Sequence, residues 1–260
     1  MGAMPILFDS HCHLDDPAFD ADRAAVIQAA RDAGVGRFLL PGVGHWTWAR
    51  QLALAEAEAG FHCALGLHPL FLDRHRPDDL DRLAGLLDHP RVVAVGEVGL
   101  DYYSKDADRA AQQALFEAQI RLARDRGLPL VLHVRRAHDP VLATLRRLRF
   151  PHGGICHACN ASLQQARRYL DLGFRLGFGG TLTYPGSRRI RALAAALPPE
   201  ALCLETDAPD IPPAAHRGER NSPAYLPEVL MALAEVRGEA PEALAEITFA
   251  NACQALGIES

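Results

Sequence analysis

The chain is nearly without lysine. Lys105 is the only one among 27 basic residues, and the rest are arginine. Arginine suits bidentate contacts to phosphate or carboxylate, although so uniform a bias equally reflects genome composition and carries little weight. A basic excess is absent as well: the formal net charge is −5. That excludes a global positive field able to hold a long nucleic acid, while leaving room for a local positive pocket. No apolar run reaches membrane-spanning length and no secretory signal opens the chain. The expectation is a cytoplasmic protein with no membrane association and no obligate protein partner. The six cysteines, Cys12, Cys63, Cys156, Cys159, Cys203 and Cys253, show no framework spacing. They are expected to be reduced and to behave as small hydrophobes. "CHAC" at 156–159 is a lone C-x-x-C with no second pair to complete a structural zinc site. No linker, charge block or low-complexity tract divides the chain.

What is present is an ordinary globular composition, 49% apolar and 23% charged. Eight short apolar runs recur, at 5–13, 37–43, 61–69, 92–101, 128–134, 153–159, 174–180 and 201–209. Near-continuous runs of this length mark strands of a parallel sheet covered on both faces. Amphipathic stretches at 20–33, 47–59, 78–88, 108–126, 138–149, 162–172 and 187–197 alternate with them, and 223–236 and 241–256 close the chain. Several start after Asp, Ser or Thr and stop at glycine, as at Arg126-Gly127. Strict alternation means right-handed βαβ units. Eight units in 260 residues predict an α/β fold, a (β/α)8 TIM barrel forming a single domain over residues 5–260. The runner-up is an open doubly wound sheet, which usually has fewer strands; no G-x-G-x-x-G follows the first run.

The polar residues fall where such a barrel keeps its chemistry. Strand one ends in His11-Cys12-His13, strand three in His68, and strand four in Glu97 with Asp101 just beyond. Strand five ends in His133, strand six in His157 and strand eight in Asp207. In a barrel these C-terminal ends converge on one face, which holds the active site. Alternation along a strand lets His11 and His13 face one ion while Cys12 faces away. H-x-H alone is weak evidence, roughly three to one in favour of an ordinary polar contact. Four histidines and two acids at strand ends reverse those odds. Imidazole with carboxylate suits zinc, manganese or iron better than an all-oxygen magnesium cage. Six ligands are too many for one tetrahedral ion with an open position. Two ions sharing a carboxylate account for all six, and Glu97, midway round the barrel, is placed to bridge. Metals about 4 Å apart can activate a water and stabilise the leaving oxygen of a displacement at phosphorus.

The blocks that carry these residues resemble the TatD family of metal-dependent deoxyribonucleases, within the amidohydrolase-type barrels. "DSHCHLD" (9–15) is similar to the family's D-x-H-x-H-x-D opening. "GLHP" (66–69), "GEVGLDYY" (96–103), "LPLVLHVRRAHD" (128–139), "ETDAP" (205–209) and "RGERNSP" (217–223) follow in the family's order. The resemblance covers nearly the whole chain. It implies two divalent metal ions, zinc, manganese or magnesium. His11, His13, Glu97 and Asp207 would hold one; Glu97, His133 and His157 would hold the other. Asp207 would also be the base that takes a proton from the activated water, with Glu97 as the catalytic bridge. His68 and Arg135 would contact phosphate, and Asp101 and Tyr102 would contact substrate or order the loop. The substrate would be DNA, single-stranded or at ends. Strand six departs from the pattern: the family's Cys-Phe-Ser-Gly after the histidine is Ala158-Cys159-Asn160-Ala161 here, which bears on substrate preference.

Plainer readings stand beside these. His45, Trp46 and Trp48 offer a stacking platform for a base or, about twice as readily, an ordinary aromatic helix start. His62, His75, His89, His138, His152 and His216 read mostly as solvated. Glu205 alternates with Asp207 and serves either to orient a ligand or as a structural hydrogen-bonder. Arg217, Arg220 and Asn221 bind phosphate or brace a loop, and the arginines near 188–191 read as a solvated helix face. The function expected is metal-dependent phosphodiester hydrolysis by an activated hydroxide, an exonuclease-like deoxyribonuclease. The alternative is hydrolysis of a small ester, amide or phosphoester in the same barrel. A non-catalytic binding protein is the third reading, and the full ligand set argues against it.

Overall fold

Helix capping and apolar periodicity place most of the elements. In this computed structural model residues 5–259 are described. Among them eight parallel strands pair in sequence order: β1 (Leu7–Asp9), β2 (Val35–Pro41), β3 (Phe61–Leu65), β4 (Val92–Asp101), β5 (Leu130–Arg135), β6 (Gly154–Cys156), β7 (Phe174–Phe178) and β8 (Leu202–Leu204). The helices between them are α1 (Arg23–Asp32), α2 (His45–Ala57), α3 (Asp79–Leu86), α4 (Arg109–Arg126), α5 (His138–Arg147), α6 (Leu163–Asp171) and α7 (Arg188–Ala196). Two more, α8 (Leu226–Arg237) and α9 (Pro241–Leu256), follow β8. Ser162 and Gln165 form a reciprocal capping box at the start of α6. Gly127 ends α4 in the left-handed conformation that a side chain would resist. The expected barrel is the fold observed. No helix among the described residues is long and apolar enough to cross a membrane.

The barrel closes through residues just beyond β1 and β8. Ser10 N–H donates to the Leu204 carbonyl at 3.0 Å, Asp207 N–H to His11 O at 2.8 Å, and His13 N–H to Ala208 O at 2.8 Å. Asp9 locks this seam from within. Its carboxylate accepts from Thr206 N–H at 2.9 Å and Thr206 Oγ1 at 2.5 Å. Burial pushes the Asp9 carboxyl up to about 7, against the pull of those hydrogen bonds.

Two apolar clusters hold the layers. The larger joins the helices to the outside of the sheet. The smaller gathers Phe8, Leu39, Ala64, Ala94, Val131, Ile155 and Cys203 from seven strands against Ala252, Cys253, Ala255 and Leu256 of α9. The C-terminal helix therefore packs against the filled barrel interior. Each fully buried Leu, Ile, Val or Phe there contributes about 1.5–3 kcal/mol. All six cysteines are buried and free, as expected of reduced thiols.

Candidate metal centre

Strand order brings the distant acids and histidines to one end of the barrel. The run 5–13 is not one strand: β1 stops at Asp9, and His11 and His13 lie on the segment that closes the seam. They still converge. His11 Nε2 and His13 Nε2 each lie 3.6 Å from Asp207 Oδ1. Cys12 turns away, with Sγ 3.8 Å from Leu39 O. Glu97 lies in mid-strand and faces two histidine pairs. Its Oε2 is 3.3 Å from His11 Nε2 and 3.9 Å from His13 Nε2. Its Oε1 is 3.0 Å from His133 Nδ1 and 3.4 Å from His68 Nε2.

His157 is grouped differently from the resemblance. Its ring stacks on His11 with centroids 3.6 Å apart, and its Nε2 is 3.7 Å from Asp207 Oδ2. Three donor groups result, with ligand atoms within 4.8 Å in each: His11, His13 and Glu97; His68, Glu97 and His133; His11, His157 and Asp207.

Charge balance keeps the acids ionised. Burial opposes the Glu97 charge, yet the histidines around it, His11 first, hold its carboxyl well below the usual range. Asp207 is likewise held down, against burial, by His157 and His13. The histidines divide. His13 is pushed up to about 9 and His157 to about 10, burial being outweighed by Asp207 for the first and Glu205 for the second. Burial keeps His68 neutral, down to about 4.

The donor set fits divalent ions. Both ring nitrogens of His11 are buried and hydrogen-bond to nothing among the described residues, a cost of about 1–3 kcal/mol per group that an ion at Nε2 would remove. Imidazoles and carboxylates converging on shared space are the chemistry that such ions require.

Behind the ligands stand residues that aim them. Glu205 is buried; its Oε1 is 3.0 Å from His157 Nδ1 and accepts from Ala158 N–H at 2.7 Å. Asp101, expected to contact substrate or order the loop, is 1% exposed: its Oδ2 is 2.9 Å from His133 Nε2 and its Oδ1 accepts from Tyr103 N–H. It orients His133. Tyr102, for which the same two roles were expected, lies at the edge of the core. It packs on the core beneath Arg109, whose Cζ is 4.7 Å from the ring centre. The next residue, Tyr103, faces the open cavity instead. Arg135, two residues past His133, projects into that cavity with its Cζ 3.7 Å from the Tyr103 ring centre.

The plainer readings separate. Trp48 is a core residue and donates to Gly66 O at 3.2 Å, whereas Trp46 forms part of a cavity wall. Arg220 braces the chain against Asp22, and Asn221 is buried with its amide donating to Thr206 and Asp210 carbonyls. His62, His75, His89, His138 and His216 are half-buried rather than solvated, and His152 is exposed. Arg189 lines the cavity; the charge pattern of α7 gave no sign of it, because its reach depends on the loop after β7.

An eight-stranded parallel barrel with this donor set at the strand ends defines a metal-dependent hydrolase. Residues 8–257 match the family described as TatD related DNase. An Escherichia coli K12 protein, the uncharacterized metal-dependent hydrolase YjjV, is 41% identical over 94% of this chain and 95% of its own. Its crystal structure superposes with a TM-score of 0.94, covering 97% of this chain and 98% of that one. A Klebsiella pneumoniae relative, 34% identical over 97% of this chain and 98% of its own, is named 3'-5' ssDNA/RNA exonuclease TatD. The chain belongs to the TatD-related DNase family.

Proposed function

We propose that this protein hydrolyses phosphodiester bonds at the ends of single-stranded nucleic acid, DNA foremost. The observation that carries the reading is the two-sided Glu97, whose oxygens each face a separate histidine pair. A carboxylate so placed is the bridge that a two-ion phosphodiesterase needs. His11, His13, Glu97 and Asp207 would hold one ion. Glu97, His133 and His157 would hold the other. When bound, two divalent ions lower the pKa of water and neutralise charge building on a phosphoryl group.

The chain's own groups do the rest. Of the two acids in the donor set, Asp207 is the more open, with 15% of its side chain exposed against 4% for Glu97. Ionised and so placed, it accepts the proton of the attacking water. His68 accepts Leu70 N–H at its Nδ1 (3.1 Å), which puts the ring proton on Nε2, facing the site. It donates to a phosphate oxygen, and Arg135 adds a charged donor from the other side. The Klebsiella pneumoniae relative's name supports a nucleic-acid substrate.

The test is a timed digest of end-labelled single-stranded DNA with metal content measured on the same samples. Wild type is expected to shorten the strand. Asp207→Asn is expected to lose at least 100-fold, the low end of general-base catalysis. Equal digestion by both proteins sinks the mechanism. Turnover of small esters with none of DNA sinks the substrate assignment.

A further inference from the structure

Two cavities meet at the metal centre and share His133, His157, Asp207 and Asp210 in their walls. Their volumes are about 540 and 990 Å³, within the range that encloses small ligands. They differ in charge. The smaller carries Asp15, Asp16 and Glu97 against two arginines. Arg50 pairs with Asp20, and Arg74 lies 3.8 Å over Trp46. The larger carries Arg135, Arg136 and Arg189. Among the described residues none of these three forms a salt bridge. Arg189 donates to the Asn160 carbonyl, and Arg135 and Arg136 stack on Tyr103 at 3.7 and 4.6 Å. Asp139 in the same wall is taken by Arg168 at 3.1 Å.

Two further features mark this larger cavity as a ligand site. Arg136, Ala158, Asp207 and Ile211 line it, and all have positive φ, at 55°, 42°, 61° and 50°. Non-glycine residues pay for that conformation by about 1–2 kcal/mol each, and such strain gathers at ligand clamps. Tyr103 and Ile211 at its wall are 52% and 37% exposed, apolar faces on which a base or sugar can rest.

Building on the phosphodiester reading of the metal centre, we propose that the larger cavity is a second phosphate subsite. Arg136 and Arg189 grip the phosphate adjacent to the scissile one, and Tyr103 supports the strand between them. Arg135, nearest in sequence to His133, serves the scissile phosphate. The terminal nucleoside, which carries no phosphate beyond the bond to be cut, occupies the smaller and more acidic cavity. The substrate class is then an oligonucleotide, selected over any ester carrying one phosphate.

Two measurements on the metal-loaded protein test this. The first compares kcat/KM for tetrathymidylate with that for thymidine 5'-(4-nitrophenyl phosphate), which has no second phosphate. Arg136→Gln with Arg189→Gln, both at exposed positions, is expected to reduce the preference for the tetramer by about tenfold or more, the scale of one charge-assisted contact. The second measures binding of fluorescent phosphorothioate tetrathymidylate, with and without an uncharged methylphosphonate next to the cleavable linkage. The neutral linkage is expected to weaken wild type about tenfold and the double variant less than twofold. The salt slope of the double variant is expected to fall by about 0.7. A variant that keeps the wild-type preference and responds equally to the neutral linkage overturns the subsite. Loss of all hydrolysis in wild type, with the binding pattern intact, overturns the phosphodiesterase reading and leaves the subsite standing.

Discussion

Gly177 of β7 touches no expected ligand, yet the structure makes Gly177→Ala a test of how the centre is held. A Cβ built there would lie 2.0 Å from Glu205 Oε2 and 2.6 Å from its Cδ. Ordinary contact begins at 3.4 Å, so the carboxylate must retreat by well over an ångström. Glu205 is 1% exposed and has nowhere nearby to go. If it stays, the overpacking costs about 1–3 kcal/mol. If it yields, it gives up its bond to Ala158 N–H and its contact with His157, and a hydrogen bond to a charged group is worth about 1.5–3 kcal/mol. These are alternatives and do not add, so the expected destabilisation is about 1–3 kcal/mol. That is a fall in Tm of roughly 2–12 °C for a chain of this size. The loaded protein should also lose metal and activity, since His157 is no longer aimed. Glu205→Asp shortens the acid by one methylene and is expected to recover part of the loss in the Gly177→Ala background, while costing stability in wild type. Thermal melts of the four proteins measure the coupling. Additivity within about 0.5 kcal/mol refutes the steric account. As a control, Gly85 in α3 has open space around its Cβ position, and Gly85→Ala should stabilise by about 0.5–1 kcal/mol.

Three other outcomes follow from the same geometry. Chelation should lower Tm, and restoring metal at 100 times its Kd should return about 2.7 kcal/mol; Glu97→Gln should remove that metal-dependent gain, and a gain equal to wild type would count against the bridge. His62 is held down to about 4, by burial first and then by Arg37 and Arg91. Its folded pKa lies below the unfolded value of about 6.5, so its contribution to stability is complete above pH 6.5 and lost as pH falls toward 4. Discounted for partial exposure that is about 1–2 kcal/mol, and His62→Gln should flatten the denaturation midpoint across this window; an unchanged slope speaks against it. His68→Gln should keep full metal content while lowering turnover about tenfold or more, whereas His157→Gln should lose metal; depletion in both would make His68 a ligand.

The barrel was legible because eight buried strands must read as apolar runs and their covering helices as amphipathic ones. The meeting of His11, His133, His157 and Asp207 was legible because fold and strand direction fix which ends converge. Local detail was not. β1 ends early because the Asp9 carboxylate accepts Thr206 N–H and sits 3.3 Å from His11 N–H, a side chain competing with the ladder. α1 starts at Arg23 rather than at residue 20 because Asp16 caps a separate turn at Pro17–Phe19. Asp101 turns onto His133, and Tyr103 rather than Tyr102 reaches the cavity, because the chain leaves β4 there. Side-chain direction past a strand end depends on that turn, which periodicity does not encode. Arg189 reads as one more basic residue on a polar helix until the loop before α7 delivers it to the cavity.

The group behind each histidine sorts the cluster into roles. A carboxylate behind one ring nitrogen keeps the proton there, so that the opposite nitrogen, once an ion has displaced its own proton, offers its lone pair. Asp101 does this for His133 through Nε2, and Glu205 for His157 through Nδ1. His68 is backed by a donor instead. Leu70 N–H occupies its Nδ1 lone pair, so the Nε2 that faces Glu97 presents a proton and cannot ligate without a change of tautomer. Proximity alone groups His68 with Glu97 and His133, and on distance it is as good a ligand as His157. The backing partner breaks the tie. It makes His133 and His157 electron-pair donors to metal, and His68 a proton donor to whatever anion the metal holds. A phosphate is such an anion, and its oxygens need that proton most when negative charge peaks during displacement.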